Sequence, residues 1–163
     1  MKKLAMVLLL AGLGTRLFAI GLGAEWGLRF YDDLVTGPAL LVYSGNGLNL
    51  AVDWNIRRNW TDIGATLDKS FRLFKFCNIG RVGELNFNVG AGGFINFSFP
   101  HRKKDSITNV IGGLRFPIGV SMEFRPFSVY LDVAPAVSLE FSPSFGFGSY
   151  YGSAVRAGVV IWL

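Results

Sequence analysis

The sequence predicts an all-β protein, namely an eight-stranded antiparallel up-and-down transmembrane β-barrel. Hydrophobic residues make up 51% of the chain and charged residues only 17%, whereas soluble domains carry about 25% charged residues. Beyond residue 20, however, no apolar run approaches the roughly 18 residues that a transmembrane helix requires. The apolar residues instead alternate with small or polar ones, as in strands that have two different faces. Each alternating stretch is about ten residues long, which suits a tilted strand that crosses a bilayer.

Residues 1–19 have the features of a secretory signal peptide. Two lysines precede an apolar segment at residues 4–14, and a small residue, Ala19, follows shortly afterwards. We therefore expect cleavage after Ala19 and a mature barrel at residues 20–163. The alternative, a membrane anchor, is disfavoured because an apolar segment of this length is too short to span a bilayer.

Part of the positive charge of the chain lies in the predicted signal. Removing Lys2, Lys3 and Arg16 from the 16 basic residues leaves 13 against 11 acidic residues, a net charge of +2. We therefore expect no nucleic-acid partner. One histidine and one cysteine cannot form the usual nitrogen and sulfur metal sites, and no cofactor is expected. The single cysteine, Cys77, is interpreted as a spare thiol in a turn.

The first half of the barrel is predicted as four strands, at residues 20–30, 36–44, 48–56 and 62–74. The first and third alternate most clearly. The segment Gly45-Asn46-Gly47 separates the second strand from the third, and its residues readily adopt the positive φ angles of tight turns. In the fourth strand Lys69 falls on the apolar face. Either its side chain snorkels towards a headgroup or the strand carries a bulge.

The second half is predicted as four further strands, at residues 83–97, 113–124, 127–141 and 155–163. Residues 75–82 and 125–126 are predicted as turns, and the polar segment at residues 100–109 as a loop. The sixth and seventh strands are the most regular. Each sets Leu, Ile, Val, Phe or Met against glycine, serine or charged residues.

The sizes of the side chains decide which face meets lipid. Eight strands enclose an interior that side chains just fill, so the face that carries Leu, Phe, Trp and Met must be the outer one. The inner face is then mainly small residues with isolated charges, and a buried charge without a partner costs several kcal/mol. We expect these charges to pair as a polar plug, with an ion path as the alternative. The predicted lumen charge network comprises Glu25, Arg29, Asp53, Asp68, Arg72, Arg115, Glu123, Asp132, Glu140 and Arg156.

The lengths of the connections indicate an orientation. Outer-membrane barrels keep short turns on the periplasmic side and longer loops outside. The turns at residues 45–47 and 125–126 are then periplasmic. The connections around Asp32, Trp60, His101 and Gly148 are expected at the cell surface.

The segments LRFPIG at residues 114–119 and VYLDVAP at residues 129–135 resemble a family of small, largely uncharacterised outer-membrane β-barrels. The family is typified by spirochaetal barrels similar to the OmpA transmembrane domain. Residues 45–54 and 90–93 also resemble its pattern. The resemblance implies an eight-stranded barrel in the bacterial outer membrane. Relatives are discussed as porins or as surface-exposed binding proteins, and no agreed activity carries over. Such barrels usually end in Phe. This chain ends in Trp162-Leu163, after alternating apolar residues that we expect the barrel-assembly machinery to recognise.

Three functions follow as hypotheses: a structural or surface-interaction barrel with a plugged lumen, a small porin-like channel, and a lipid-modifying enzyme. Three residues of one predicted loop, His101, Asp105 and Ser106 (the loop set), offer a base and a nucleophile. Nothing in the sequence fixes their geometry, so we expect no catalysis. The basic run Arg102, Lys103 and Lys104 could contact lipid phosphates or an acidic partner. The alternative is a solvated loop tip. Outer-membrane lipids are the expected partners, and the sequence does not identify an extracellular ligand.

Overall fold

The computed structural model describes residues 19–30, 34–56, 60–80, 83–101, 109–124, 126–142 and 151–163. Within these residues the backbone forms nine strand segments. They are β1 (Ile20–Phe30), β2 (Leu34–Ser44), β3 (Leu48–Ile56), β4 (Trp60–Ile79), β5 (Gly83–Pro100), β6 (Asn109–Arg115), β7 (Ile118–Phe124), β8 (Phe127–Ser142) and β9 (Tyr151–Trp162). No helix in the described ranges is both long enough and apolar enough to cross a membrane. The predicted signal peptide lies almost wholly outside these ranges.

The strands close into an antiparallel ring, because β9 pairs with β1. β6 and β7 occupy a single position in that ring, since both pair with β5 on one side and β8 on the other. Their register is continuous: Gly92 faces Arg115, and Val89 faces Ile118. The interruption falls next to Pro117, which has no N–H to contribute to the ladder. The predicted eight-stranded barrel is therefore confirmed, with its sixth strand divided into two segments.

The ring is sheared, so its strands must be tilted. Ile20 on β1 lies opposite Ser44 on β2. From Ser44 a line can be followed around the ring by moving from each residue to the one opposite it on the next strand. This line reaches Ser153 on β9, which lies opposite Phe30 on β1. It therefore closes ten residues further along β1 than it began. A stagger of this kind accompanies the strand tilt of roughly 35–45° found in closed barrels.

The outer and inner surfaces of the ring differ as the sequence predicts. On β3, Leu50 and Val52 are exposed, whereas Ala51 and Asp53 are buried. The same alternation recurs around the ring, and the exposed large side chains form a continuous apolar surface. Among the described residues the buried apolar side chains are mostly small: Ala39, Leu41, Ala51, Ala134 and Val160. The interior is thus filled by small residues and polar groups.

The fourth strand departs from the prediction. The sequence predicts a turn at residues 75–82, but β4 continues to Ile79. Two register shifts against β5 absorb Leu73 and Phe76, one residue each, and these bulges let the pairing continue where strict alternation fails. Cys77 consequently lies in a strand, and its predicted position in a turn is wrong.

Lys69 keeps the outward position that the alternation assigns to it. It lies opposite Leu48 on β3 and Ala91 on β5. Its ammonium group donates to the backbone carbonyl oxygen of Asn46 and lies 5.7 Å from the centroid of the Phe71 ring. The side chain therefore folds back to the neighbouring turn. The bulges of β4 follow it in the chain and do not change its face.

Candidate functional site

The centre of the lumen is organised around Arg156 on β9. Its Nε and Nη2 atoms donate to the two carboxylate oxygens of Asp132 on β8, at 2.8 and 2.7 Å. Its Nη1 atom lies 3.3 Å from Oδ2 of Asp68 on β4 and 3.5 Å from Oε2 of Glu25 on β1. One guanidinium group thus joins four strands across the interior, in the bidentate geometry that makes Arg–carboxylate pairs strong.

A second guanidinium group completes this arrangement. Nη2 of Arg115 on β6 lies 3.1 Å from Oδ2 of Asp68, and the two side chains are 6% and 0% exposed. The Tyr130 hydroxyl on β8 donates a hydrogen bond to Glu25. We call this set the central cluster. Its members are Glu25, Asp68, Arg115, Tyr130, Asp132 and Arg156.

Every member of the central cluster faces a glycine on a neighbouring strand. Gly92 lies opposite both Asp68 and Arg115. Gly158 lies opposite both Glu25 and Tyr130. In the same way Asp132 faces Gly119 and Arg156 faces Gly27. Glycine supplies the space that the long polar side chains occupy, because a methyl group on Gly92 would lie 2.1 Å from Oδ1 of Asp68.

Asp53 on β3 lies beside the central cluster and shares this feature. It faces Gly64 on β4, where an added methyl group would lie 2.6 Å from its Oδ2 atom. The Asp53 side chain is buried. With Thr66 and Arg115 it lines a cavity of about 20 Å³, which is room for about one water molecule.

Two of the predicted network residues lie elsewhere. Arg72 Nη2 is 2.8 Å from Oε1 of Glu123, and its Nη1 is 3.2 Å from Oε2 of Glu84. Lys75 Nζ is 3.1 Å from the other Glu84 oxygen. These four residues, Arg72, Lys75, Glu84 and Glu123, form the rim cluster, whose side chains are 38–46% exposed. The predicted single network is therefore divided into a buried part and an exposed part.

Of the remaining predicted residues, only Glu140 has a described side chain, and it joins neither cluster. Glu140 lies on β8 opposite Ile111. The backbone of Arg29 belongs to β1, but its side chain lies outside the described residues. Arg102, Lys103 and Lys104 also lie outside them.

Cavities reach the central cluster from both sides, and the cluster separates them. On the side of the Gly45–Gly47 turn, which we call the turn end, a cavity of about 80 Å³ reaches Tyr130 and Asp132. It shares Glu123, Ser128 and Trp162 with a wider mouth of about 510 Å³ that Gly45 also lines. On the other side, two cavities of about 20 Å³ each reach Arg115. The central cluster therefore stands between the two halves of the lumen.

The described residues offer little for other chemistry. Among them, no three His, Cys, Asp or Glu side chains are grouped so that they could hold a metal ion, and the carboxylates of the lumen instead surround guanidinium groups. Nε2 of His101 is 2.8 Å from the Thr61 hydroxyl. Asp105 and Ser106, the other members of the loop set, lie outside the described residues.

A closed ring of eight strands, apolar outside and filled with small and charged side chains inside, defines the class of small transmembrane β-barrels. Solved structures that share this fold include the following two. The N-terminal β-barrel domain of Pseudomonas aeruginosa OprF matches with a TM-score of 0.55 and 13% identity, over 88% of this chain and 97% of that chain. Neisserial surface protein A (NspA) matches with a TM-score of 0.51 and 15% identity, over 88% and 95%.

At these identities the likeness concerns the fold. It agrees with the OmpA-like barrel that the sequence resemblance implies. No protein-family model matches the chain, and no curated protein matches it in sequence.

Proposed function

We propose that the chain is an integral protein of the bacterial outer membrane whose lumen is closed, and that it serves as a structural or surface-interaction barrel. The observation that carries this proposal is the central cluster, in which Arg156 joins Asp132, Asp68 and Glu25. The apolar outer surface, the shared fold of the OprF and NspA barrels, and the resemblance of residues 114–135 to small spirochaetal barrels all support it.

The energetics of the central cluster favour a closed lumen. An ion that crossed the barrel would have to separate Arg156 from Asp132, whose side chains are only 4% and 13% exposed. Breaking a buried ion pair leaves an uncompensated charge, which costs about 3–5 kcal/mol. On the side of the cluster away from the turn end, the cavities measure only about 20 Å³ each, so side chains displaced to that side have little room to move. Eight strands enclose an interior that side chains just fill, whereas barrels of about 16–18 strands leave an aqueous channel.

The surface-interaction part of the proposal concerns the loops. With the short turns at residues 45–47 and 125–126 in the periplasm, the longer connections lie at the cell surface. Within them, the basic run Arg102, Lys103 and Lys104 has the chemistry to bind lipid phosphates or an acidic partner. The C-terminal strand, β9, which closes the ring against β1, is the part that the assembly machinery would recognise.

Conductance in planar bilayers tests the proposal. We expect the refolded protein to give no stable unitary current steps. Folding is checked by gel electrophoresis in detergent, because a folded barrel migrates differently before and after heating. Stable steps whose size changes when Arg115 or Glu123 is replaced would instead identify a small channel. Acyl transfer that is lost on replacing His101 and Ser106 would identify an enzyme.

A further inference from the structure

At the turn end β4 continues beyond its pairing with β3, whereas the part of β5 that lies opposite it, residues 83–89, stays paired with β7 on its other side. The pairing of β3 with β4 ends at Leu48 and Lys69, and the Ser70 amide donates to the Gly47 carbonyl oxygen at 2.8 Å. From there to Ile79, β4 pairs only with β5. Residues 71–78 are all exposed. We call residues 71–79 of β4, with residues 83–89 of β5, the extension.

The polar residues of the extension recur at every third position of β4, as Arg72, Lys75 and Asn78. In a regular strand, residues three apart point to opposite faces, so Lys75 would face away from its two polar neighbours. The two bulges prevent this, because they absorb Leu73 and Phe76. As a result the three polar residues all lie on the inner face of the sheet, opposite Asn88, Asn86 and Glu84.

The contacts of the extension differ between its two faces, with polar contacts on the inner face and aromatic contacts on the outer face. On the inner face, Lys75 Nζ is 3.1 Å from both Asn78 Oδ1 and Glu84 Oε1. On the outer face, the rings of Phe74 and Phe87 stack with their centroids 5.1 Å apart, and Phe76 packs edge-on against Phe74 at 4.7 Å. Both β4 aromatic rings nevertheless remain about half exposed.

An outer face in water would not account for this arrangement. Each bulge leaves one residue unpaired and disrupts the ladder. With water on both faces, the sorting of apolar and polar side chains would gain only the ring contacts, which leave Phe74 and Phe76 about half exposed. The sorting is favourable if the outer face lies against a non-aqueous medium. That face also continues the apolar column of Ile63, Leu67 and Phe71 on the same strand, all of which are exposed.

We propose that the outer face of the extension rests in the lipid of the periplasmic leaflet, with the Phe74, Phe76 and Phe87 rings at its headgroup boundary. This inference rests on the proposed function, because it requires the barrel to be in the membrane with its turn end in the periplasm. Aromatic side chains are enriched at that boundary in transmembrane barrels. The inner face, with the rim cluster, then faces the aqueous mouth of the lumen.

The single cysteine of the chain provides the test. Cys77 is exposed and lies on the outer face opposite Leu85, so a nitroxide label can be attached without any substitution. The labelled protein is reconstituted in vesicles of phosphatidylethanolamine and phosphatidylglycerol, and collisions with oxygen and with a nickel chelate are measured. The label on Cys77 should meet oxygen in preference to nickel. In a Cys77→Ser, Asn78→Cys variant, the label on the inner face should have an oxygen-to-nickel ratio several-fold lower.

A label in the apolar belt separates the two proposals. In a Cys77→Ser, Val52→Cys variant, the label replaces an exposed apolar residue of β3 and should report lipid. If it does, and the Cys77 label is as accessible to nickel as the label at position 78, the extension projects into water. The inference is then overturned, and the membrane barrel stands. If the label at position 52 is also fully accessible to nickel, both proposals are overturned.

Discussion

Asp68 and Arg115 lie on strands on either side of Gly92, and their charged groups meet above that glycine with Nη2 and Oδ2 3.1 Å apart. Asp68 could not keep this position over a larger residue, because a methyl group on Gly92 would lie 2.1 Å from its Oδ1 atom. The ion pair and the glycine therefore form one unit. The same relationship holds for Glu25 and Tyr130, which flank Gly158.

Gly92→Ala should destabilise the barrel. The added methyl group would lie 2.1 Å from Oδ1 of Asp68 and 2.3 Å from the Leu67 carbonyl oxygen, and overpacking of this kind costs about 1–3 kcal/mol. The measurement is the free energy of unfolding in urea, followed by tryptophan fluorescence. Gly93→Ala is the matched control, because its nearest contact is the Gly113 carbonyl oxygen at 3.4 Å. Equal losses in the two variants would show that the position of Asp68 does not depend on Gly92.

Arg156→Gln should lower the free energy of unfolding by about 3–5 kcal/mol, because it leaves buried carboxylates without their shared cation. Asp132, Asp68 and Glu25 all lie within 3.5 Å of this guanidinium group. Arg72→Gln serves as the control. Its ion pairs in the rim cluster are about half exposed, so its loss should be about 0–1 kcal/mol. A loss at Arg72 as large as that at Arg156 would contradict the division into a buried and an exposed cluster.

A charge on the outer surface should cost most at the middle of the apolar belt. Leu50→Arg, near the centre of β3, should lower the free energy of unfolding in lipid by about 2–4 kcal/mol, and Ile56→Arg, at the end of the strand, by about 0–1 kcal/mol. Both residues are exposed, so the difference arises from depth in the bilayer. The comparison is made by reversible unfolding from vesicles. If both substitutions were harmless, the belt would not face hydrocarbon.

Deletion of Leu73 should be tolerated. This residue is the one absorbed by the first bulge, so its removal leaves Arg72 opposite Asn88 and Phe74 opposite Phe87. Deletion of Leu67, which lies in a regular part of the same strand, would move one flank of β4 to the wrong face. The folded fraction, read from the heat-dependent gel mobility, should be close to that of the wild type for the first variant and close to zero for the second. Equal folding of the two would show that the bulge does not set the register.

Most of the barrel could be predicted from the sequence because its strands obey a period of two. The regular alternation at residues 48–56 and 113–141 identifies both the strands and their outer face. β4 could not be predicted beyond Phe74, because polar residues at every third position match no regular strand. The position of Lys69 was likewise open, since its contact with the Asn46 carbonyl oxygen depends on the fold of the turn.

The site could be predicted only in part. Alternation assigns Arg72, Glu123 and Arg156 to the inner face, but it carries no information on depth along the barrel. The register between strands supplies that depth, and it separates the rim cluster from the central cluster. The register between strands also shows that glycines lie opposite the charged residues, which alternation alone does not reveal. Tyr130 could not be identified from the sequence, because alternation gives its face but not its hydrogen bond to Glu25.

A scan of single nitroxide labels along β3, in a Cys77→Ser background and in vesicles, tests whether the large apolar side chains face lipid and the polar ones a closed lumen. The labels replace each residue from Leu48 to Ile56 in turn, and their collision rates with oxygen are compared. We predict a rise and fall with every second residue, with maxima that include Leu50, Val52 and Trp54, three of the five exposed positions of the strand. Maxima at Asn49, Ala51 and Asp53, or rates without alternation, would contradict this arrangement.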